Sequence, residues 1–428
     1  MKRARILILL GISTGICGIA FGVGAYRDAE ASEAIHNAEL LLNMPFEEGP
    51  ELHDLPVVEI AALLERAREL GAEPSHGLAQ EVAALEYWAA GDQIFAEGAL
   101  NEAQQSDGWT PLRRVLAAAI ARSKADIPTA WNHVREASGL DPEDQRTLLM
   151  TADLALDRED SRAATTAIRR LVLNHPRVAV VQNRLGLVLE LAGDATGAAH
   201  AFERAVELDE DLHVAWINLG RSRRSVGALE EAQAAFDRAT TLQPGEGDAW
   251  LGLGLTQLQL GDIEASELAL ERADELMPHE AAPQLGLGDL FVATGENLAA
   301  IQAYREALRR RDNQPGSWLK LGNVLTREGE LDSAEEAFRQ ALHHDPELAA
   351  AHNGLGSVLS QRGQTDSATQ ALRRAAELDD ADPNPLMNLA LLHESQGALD
   401  QARAAWQAAL ERDPSALVAA ERLARLGS

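Results

Sequence analysis

The sequence predicts an all-α chain, a solenoid of stacked antiparallel helix hairpins. Three observations carry this. A pattern of two helices repeats every 34 residues without insertion from Ala179 to Ala416, giving seven units. Small residues recur at fixed places inside each unit, where two helices must cross closely. Ala, Leu, Glu and Arg are abundant while aromatic residues make up 4% of the chain, a balance that favours helix over strand.

The chain begins with "MKRAR", followed by 21 uncharged residues from Ile6 to Tyr26. At about 1.5 Å per residue such a helix just spans a hydrocarbon core of roughly 30 Å. Basic residues precede it and acidic ones follow, so the positive-inside rule keeps residues 1–5 in the cytoplasm and sends the rest across. Two readings fit residues 6–26. One is an uncleaved single-pass anchor, with the array outside the cytoplasm (periplasmic in a Gram-negative cell). The other is a signal peptide cut after Val23-Gly24-Ala25, leaving a soluble exported protein. The apolar run is longer than a usual signal core, which favours the anchor. Cys17 is the single cysteine, so no internal disulfide or cysteine-based metal centre is expected, and bulky Ile16 before it argues against lipoprotein processing. Gly11 with Gly15, and Gly18 with Gly22, have the spacing of close-packed helix dimers. That spacing arises easily in a Gly-rich segment and does not by itself establish a homodimer.

Residues 27–76 read as an acidic linker with helices. Helices are expected at 28–42 and 57–74, separated by the Pro- and Gly-bearing "NMPFEEGPELHDL". Residues 27–110 hold 3 Arg against 18 Asp and Glu, and the whole chain carries a formal charge of -29. Such a surface repels phosphate backbones, so nucleic acid is not an expected partner. Residues 77–178 read as three degenerate units. Ala164, Ala130, Ala96 and Ala62 keep one small-residue ladder, and Pro176, Pro142 and Pro74 keep the turn.

Each position of the seven regular units has a physical reason, counting Trp318 as the fourth residue of its unit. Position 7 is always Leu, from Leu185 to Leu389. Position 8 is Gly186, Gly220, Gly254, Gly288, Gly322, Gly356 or Ala390, small enough for the second helix to cross. Position 15 is Gly throughout, suited to the left-handed conformation that ends a helix. Position 20 is Ala or, at 266, Ser. Position 24 is a bulky plug: Phe202, Phe236, Leu270, Tyr304, Phe338, Leu372 and Trp406. Pro244, Pro278, Pro346 and Pro414 at position 32 stop the second helix. Residues 417–428 read as a capping helix.

The Trp-x-x-Leu-Gly of "AWINLG", "AWLGLG" and "SWLKLG", with the Ala at 20, the plug at 24 and the Pro at 32, resembles the tetratricopeptide repeat family. The likeness covers 179–416 strongly and 77–178 weakly. Glu210, Asp312 and Asp380 depart from the Pro, and several units lack an aromatic residue at position 4. The resemblance implies a right-handed superhelix whose inner groove is lined by the first helices through positions 2, 5, 6, 9, 12 and 13. Those positions supply Asn218, Arg221 and Arg224, then an apolar floor of Leu251, Leu255, Leu258, Leu285 and Val292. Lys320, Asn323 and Arg327 come next, followed by Asn353, Asn384 and Asn388. Asn218 and Asn388 occupy the place at which family members hydrogen-bond a peptide backbone. The alternative is that the leucines pack between helices and the cations pair with neighbouring carboxylates.

Catalytic and cofactor motifs have plainer explanations. His343, His344 and His352 straddle a turn and read as surface residues. "GLGLTQ" and "GLGDLF" lie inside helices, where dinucleotide loops do not occur. No segment outside the array is large enough for a catalytic domain, so neither an enzyme nor a cofactor is expected. The expected function is a scaffold that binds proteins or acidic–hydrophobic peptides. The resemblance implies machineries for export, pilus assembly, polysaccharide secretion or cytochrome maturation. A soluble exported adaptor and the regulatory arm of a transferase carried on another chain are the alternatives.

Overall fold

The computed structural model describes residues 32–39, 41–42, 57–69 and 73–427, and every regular element among them is a helix. The chain divides into two compact units, residues 1–215 and 216–428. The expectation of a single-pass membrane protein is corrected: among the described residues no helix is long and apolar enough to cross a membrane. Residues 6–26, on which that expectation rested, lie outside the described residues.

In the first unit α1 (Val57–Glu69) is followed by four hairpins. These are α2 (His76–Ala89) with α3 (Gln93–Asp107), α4 (Pro111–Ser123) with α5 (Ile127–Leu140), α6 (Gln145–Asp157) with α7 (Ser161–Asn174), and α8 (Ala179–Leu191) with α9 (Ala195–Leu208). Helical residues 32–39 and 41–42 join this stack at its start: Ala38 and Leu42 share a core with Ile60, Leu64, Val82, Leu85 and Leu116. Ala62 does not continue the small-residue ladder. It is exposed, and Ile60, Leu64 and Ala67 turn inward instead. The ladder therefore starts at Ala96, which is fully buried along with Ala130, Ala164 and Ala198.

Local chemistry holds the 34-residue register in this degenerate stretch. Asp92, Asp126, Asp160 and Asp194 each cap a second helix, accepting a hydrogen bond from the backbone N–H three residues on. The residue before each cap is left-handed. Gly91 and Gly193 adopt this freely, whereas Ala125 (φ 59°) and Glu159 (φ 55°) adopt it against the steric preference of L-residues. A buried ion pair adds a further lock: Arg113 Nε donates to Glu81 Oε2 at 2.7 Å, and Nη1 donates to the carbonyls of Ala103 and Gly108. Burial raises the Glu81 carboxyl above its usual range, with Arg113 opposing.

The remaining hairpins lie in the second unit, save for residues 213–215 at the start of the first of them. They are α10 (His213–Ser225) with α11 (Leu229–Leu242), α12 (Gly247–Leu260) with α13 (Ile263–Leu276), and α14 (Ala282–Thr294) with α15 (Asn297–Arg310). After them come α16 (Pro315–Arg327) with α17 (Leu331–His344), α18 (Ala349–Gln361) with α19 (Thr365–Leu378), and α20 (Asn384–Ser395) with α21 (Leu399–Arg412). The final helix, α22 (Leu417–Gly427), packs on α21. Every plug from Phe236 to Trp406 is buried. Those from Phe236 to Leu372 each lie against the position-8 glycine of their own hairpin: a Cβ on Gly254 would stand 2.7 Å from Leu270 Cγ, and one on Gly288 would stand 2.4 Å from the Tyr304 ring. The next hairpin closes over several plugs with a second glycine at position 6. A Cβ on Gly252 would meet the Phe236 ring at 2.2 Å, and Gly286 and Gly354 face Leu270 and Phe338 in the same way.

In several hairpins position 4 ties the hairpin to the turn before it. Trp250 Nε1 donates to the Pro244 carbonyl at 3.0 Å and Trp318 Nε1 to the Asp312 carbonyl at 2.7 Å. In the first unit Gln182 makes the same bond to Pro176, and His352 Nε2 lies 3.0 Å from the Pro346 carbonyl. The contact needs an N–H donor of the right reach, which is why non-aromatic residues can stand there.

Gly254→Leu is expected to lower stability by about 1–3 kcal/mol, because Leu270 side-chain and backbone atoms leave no room for a side chain. Glu264→Ala, an exposed change in the first turn of α13, is expected to cost about 0.5 kcal/mol or less. Chemical denaturation of both variants checks the difference, and equal stabilities would contradict the close-crossing geometry.

Candidate peptide-binding site

All fourteen residues of the expected groove belong to the second unit, on the first helices of its hairpins. The apolar floor is half-buried. Leu251, Leu255 and Leu258 of α12 pack on a cluster of Leu270, Leu287, Leu290 and Ala303. Leu285 and Val292 of α14 pack on the next cluster, around Tyr304, Leu321 and Phe338, and Phe291 touches both. The floor residues thus serve the core with one side and keep the other accessible. Leu255 reaches the following repeat, its Cδ2 lying 3.3 Å from where a Gly286 Cβ would stand. The plugs force glycine at positions 252 and 286, so no side chain rises from position 6 beside these leucines.

The cations differ from one another. Lys320 is neutralised: its Nζ donates to Asp289 Oδ2 at 2.6 Å and to Oδ1 at 2.8 Å. Asp289 also accepts from the Tyr304 hydroxyl at 2.7 Å, tying the plug to this ion pair. Burial, and then the Asp289 carboxylate, push the Tyr304 phenol far above its usual range, with Arg327 opposing weakly. Arg327 and Asn323 are exposed. Arg221 is exposed and donates through Nη2 to Asn218 Oδ1, and Asn218 itself is buried. Arg224 is half-buried. Burial and then the charge of Arg221 lower its pKa, and among the described residues no carboxylate offsets them.

Of the two asparagines expected to meet a peptide backbone, Asn218 is already engaged by Arg221. Asn388 donates through Nδ2 to Asn353 Oδ1 at 2.8 Å, so the two form an amide pair between successive repeats. Asp289 is not among the residues the sequence singles out, because its partner Lys320 lies in the next repeat. The signal was available as opposite charges 31 residues apart, a spacing that Asp153 and Arg184 share in the first unit. Among the described residues no group of three His, Cys, Asp or Glu side chains is placed to hold a metal ion. His343 and His344 stack edge to face at 5.2 Å.

The tetratricopeptide repeat family profile matches residues 149–212, 217–284, 285–346 and 319–384, and a second profile of the same repeat matches 386–416. The chain belongs to the tetratricopeptide repeat family. No curated protein matches it by sequence. Among solved structures it is similar to the APC/C hetero-tetramer Cut9–Hcn1 at 17% identity, over 93% of this chain and 87% of that one, with a TM-score of 0.52. At that identity the likeness is one of fold. Yeast Tom70 matches at 15% identity over 94% of this chain and 96% of that one, with a TM-score of 0.44. PilF of Pseudomonas aeruginosa matches at 19% over 51% and 98%, with a TM-score of 0.45. As a member of this family the chain is an all-helical repeat protein of the kind that binds protein or peptide partners.

The half-exposure of the floor separates it from the core by a measurable amount. Leu253→Ala, at a position 5% exposed, is expected to cost about 2–5 kcal/mol. Leu255→Ala should cost about 1 kcal/mol, since water already reaches part of that side chain. Denaturant titrations of the two variants check this, and equal losses would make Leu255 a core residue.

Proposed function

We propose that this protein is a non-catalytic scaffold whose second unit holds extended acidic–hydrophobic peptide segments of its partners across residues 213–340. The observation that carries the reading is the half-buried leucine floor of α12 and α14 flanked by cations, on a chain of net charge -29. A floor of this kind gains about 25 cal/mol for each Å² of apolar surface withdrawn from water. Arg221 and Arg224 stand before it and Arg327 after it, so a ligand acidic toward its ends and apolar at its centre complements the face. The same charges give association that weakens with salt. Lys320 contributes less, because Asp289 already satisfies it.

The test is binding of the purified full chain to an array of random peptides about twelve residues long. Arg224→Glu combined with Arg327→Glu is expected to reduce capture of acidic–hydrophobic peptides about tenfold or more and to flatten its salt dependence. Far-UV circular dichroism should be unchanged, because neither side chain is in the core. Leu255→Asp should abolish capture, with its own melting curve as the check on folding. Unchanged affinity and salt dependence in the double variant would contradict the reading.

A further inference from the structure

Cations on the first helices of this array are neutralised by carboxylates of neighbouring repeats. Asp153 at position 9 meets Arg184 at position 6 of the next repeat, and Asp289 meets Lys320 in the same way. Arg122 at position 12 is held by two acids of α6, both one repeat on. Its Nη2 donates to Asp157 Oδ1 at 2.8 Å and its Nη1 to Asp153 Oδ2 at 3.4 Å.

Three 34-residue repeats after Arg122, the same position holds Arg224. The places corresponding to Asp153 and Asp157 are taken by Leu255 and Gln259. Arg221, at position 9, meets a similar gap. The residue 31 positions on is Gly252, which must be glycine because the Phe236 ring fills the space of a side chain. Among the described residues, two arginines therefore stand together without an acid. Arg224 is half-buried, and its guanidinium is pushed down by that burial and by Arg221 while remaining cationic at physiological pH. A partly desolvated cation beside a like charge is an unfavourable arrangement in the free protein, and an incoming carboxylate relieves it.

We propose that Arg224, assisted by Arg221, receives an acidic side chain of the bound peptide, which takes the place that Asp157 and Asp153 hold beside Arg122. The inference rests on the peptide-binding reading above and adds a ligand pattern to it. In several repeats successive first helices touch, as α12 and α14 do. Packed helices lie about 8–10 Å apart and an extended chain advances about 3.3 Å per residue. An acid at Arg224 therefore stands about three residues from an apolar side chain over Leu251 and Leu255, and about six from one over Leu285. The bound segment reads acid, two spacers, apolar residue, two spacers, apolar residue.

The test uses the full chain and random peptides of about twelve residues, amidated at the C terminus so that side chains supply the only carboxylates. Bound peptides are expected to be enriched in Asp or Glu about three residues from Leu, Ile or Phe. For the tightest of them, fluorescence anisotropy should show binding weakened about tenfold by Arg224→Gln. Gln259→Glu should weaken it comparably. Gln259 is exposed, so this change leaves the core alone and supplies the internal carboxylate that Arg224 lacks. The same peptide with its acids replaced by Asn or Gln should bind the wild type and both variants alike. Peptides that require the Leu255 floor yet show no acidic preference, or ignore both substitutions, would overturn this inference and leave peptide binding standing. An array on which nothing binds would remove both.

Discussion

The contact between each position-8 glycine and the plug of its own hairpin is the constraint on which the regular part of this molecule depends. A Cβ at Gly186, Gly254, Gly288, Gly322 or Gly356 would stand 2.4–2.7 Å from the plug opposite, so the two helices approach as closely as backbones allow. With that approach fixed, the plug fills the space between its hairpin and the next, and at Gly252, Gly286 and Gly354 it leaves position 6 of the following hairpin no room for a side chain. Ser266 shows how strict the crossing is. A hydroxyl replaces the usual methyl, and it is tolerated because Ser266 Oγ donates to the Gly254 carbonyl at 2.8 Å. Packing and surface chemistry are thereby linked. Where Gly252 and Gly286 make room for Phe236 and Leu270, the first helices lose a polar side chain and the leucine floor is left open.

The same linkage explains the uneven charge pattern. Acids and bases on first helices meet across repeats, as in Arg122 with Asp153 and Asp157 or Lys320 with Asp289. Partly exposed pairs of this kind contribute only about 0–1 kcal/mol each to stability, so losing one costs the fold little. The loss changes what the surface does. Arg221 and Arg224 keep their charge where glycine, leucine and glutamine have replaced their acids, next to the apolar floor. A strongly acidic molecule thus retains a small cationic site whose natural complement is a carboxylate followed by apolar residues.

Much of this was legible in the sequence, because a fixed 34-residue period places every glycine, alanine and plug in register before any coordinate is known. The regular repeat is legible in its Leu, Gly and Ala positions together with the plug at 24 and the Pro at 32. The Asp92, Asp126, Asp160 and Asp194 caps, which carry the register through the degenerate region, repeat at the same period and were readable but unread. Ala62 keeps the 34-residue spacing and is exposed, while Ile60, Leu64 and Ala67 of the same helix turn inward. The roles of the groove residues were harder to read. Whether a cation is free depends on a side chain one repeat away, so Lys320 and Arg224 look alike in sequence and differ in structure. Burial of Asn218 and pairing of Asn388 with Asn353 are likewise consequences of stacking, which local patterns do not contain.

The central claim is that partner segments lie on the α12 and α14 floor of the second unit. Methyl NMR of the full chain, with leucine and valine methyls labelled, tests it most directly by titration with an amidated peptide of the acid–x–x–Leu–x–x–Leu pattern. The account predicts saturable shifts at Leu251, Leu255, Leu258, Leu285 and Val292, with the methyls of α4 to α7 in the first unit unmoved. Shifts confined to the first unit, or a floor that stays silent at saturation, would contradict it.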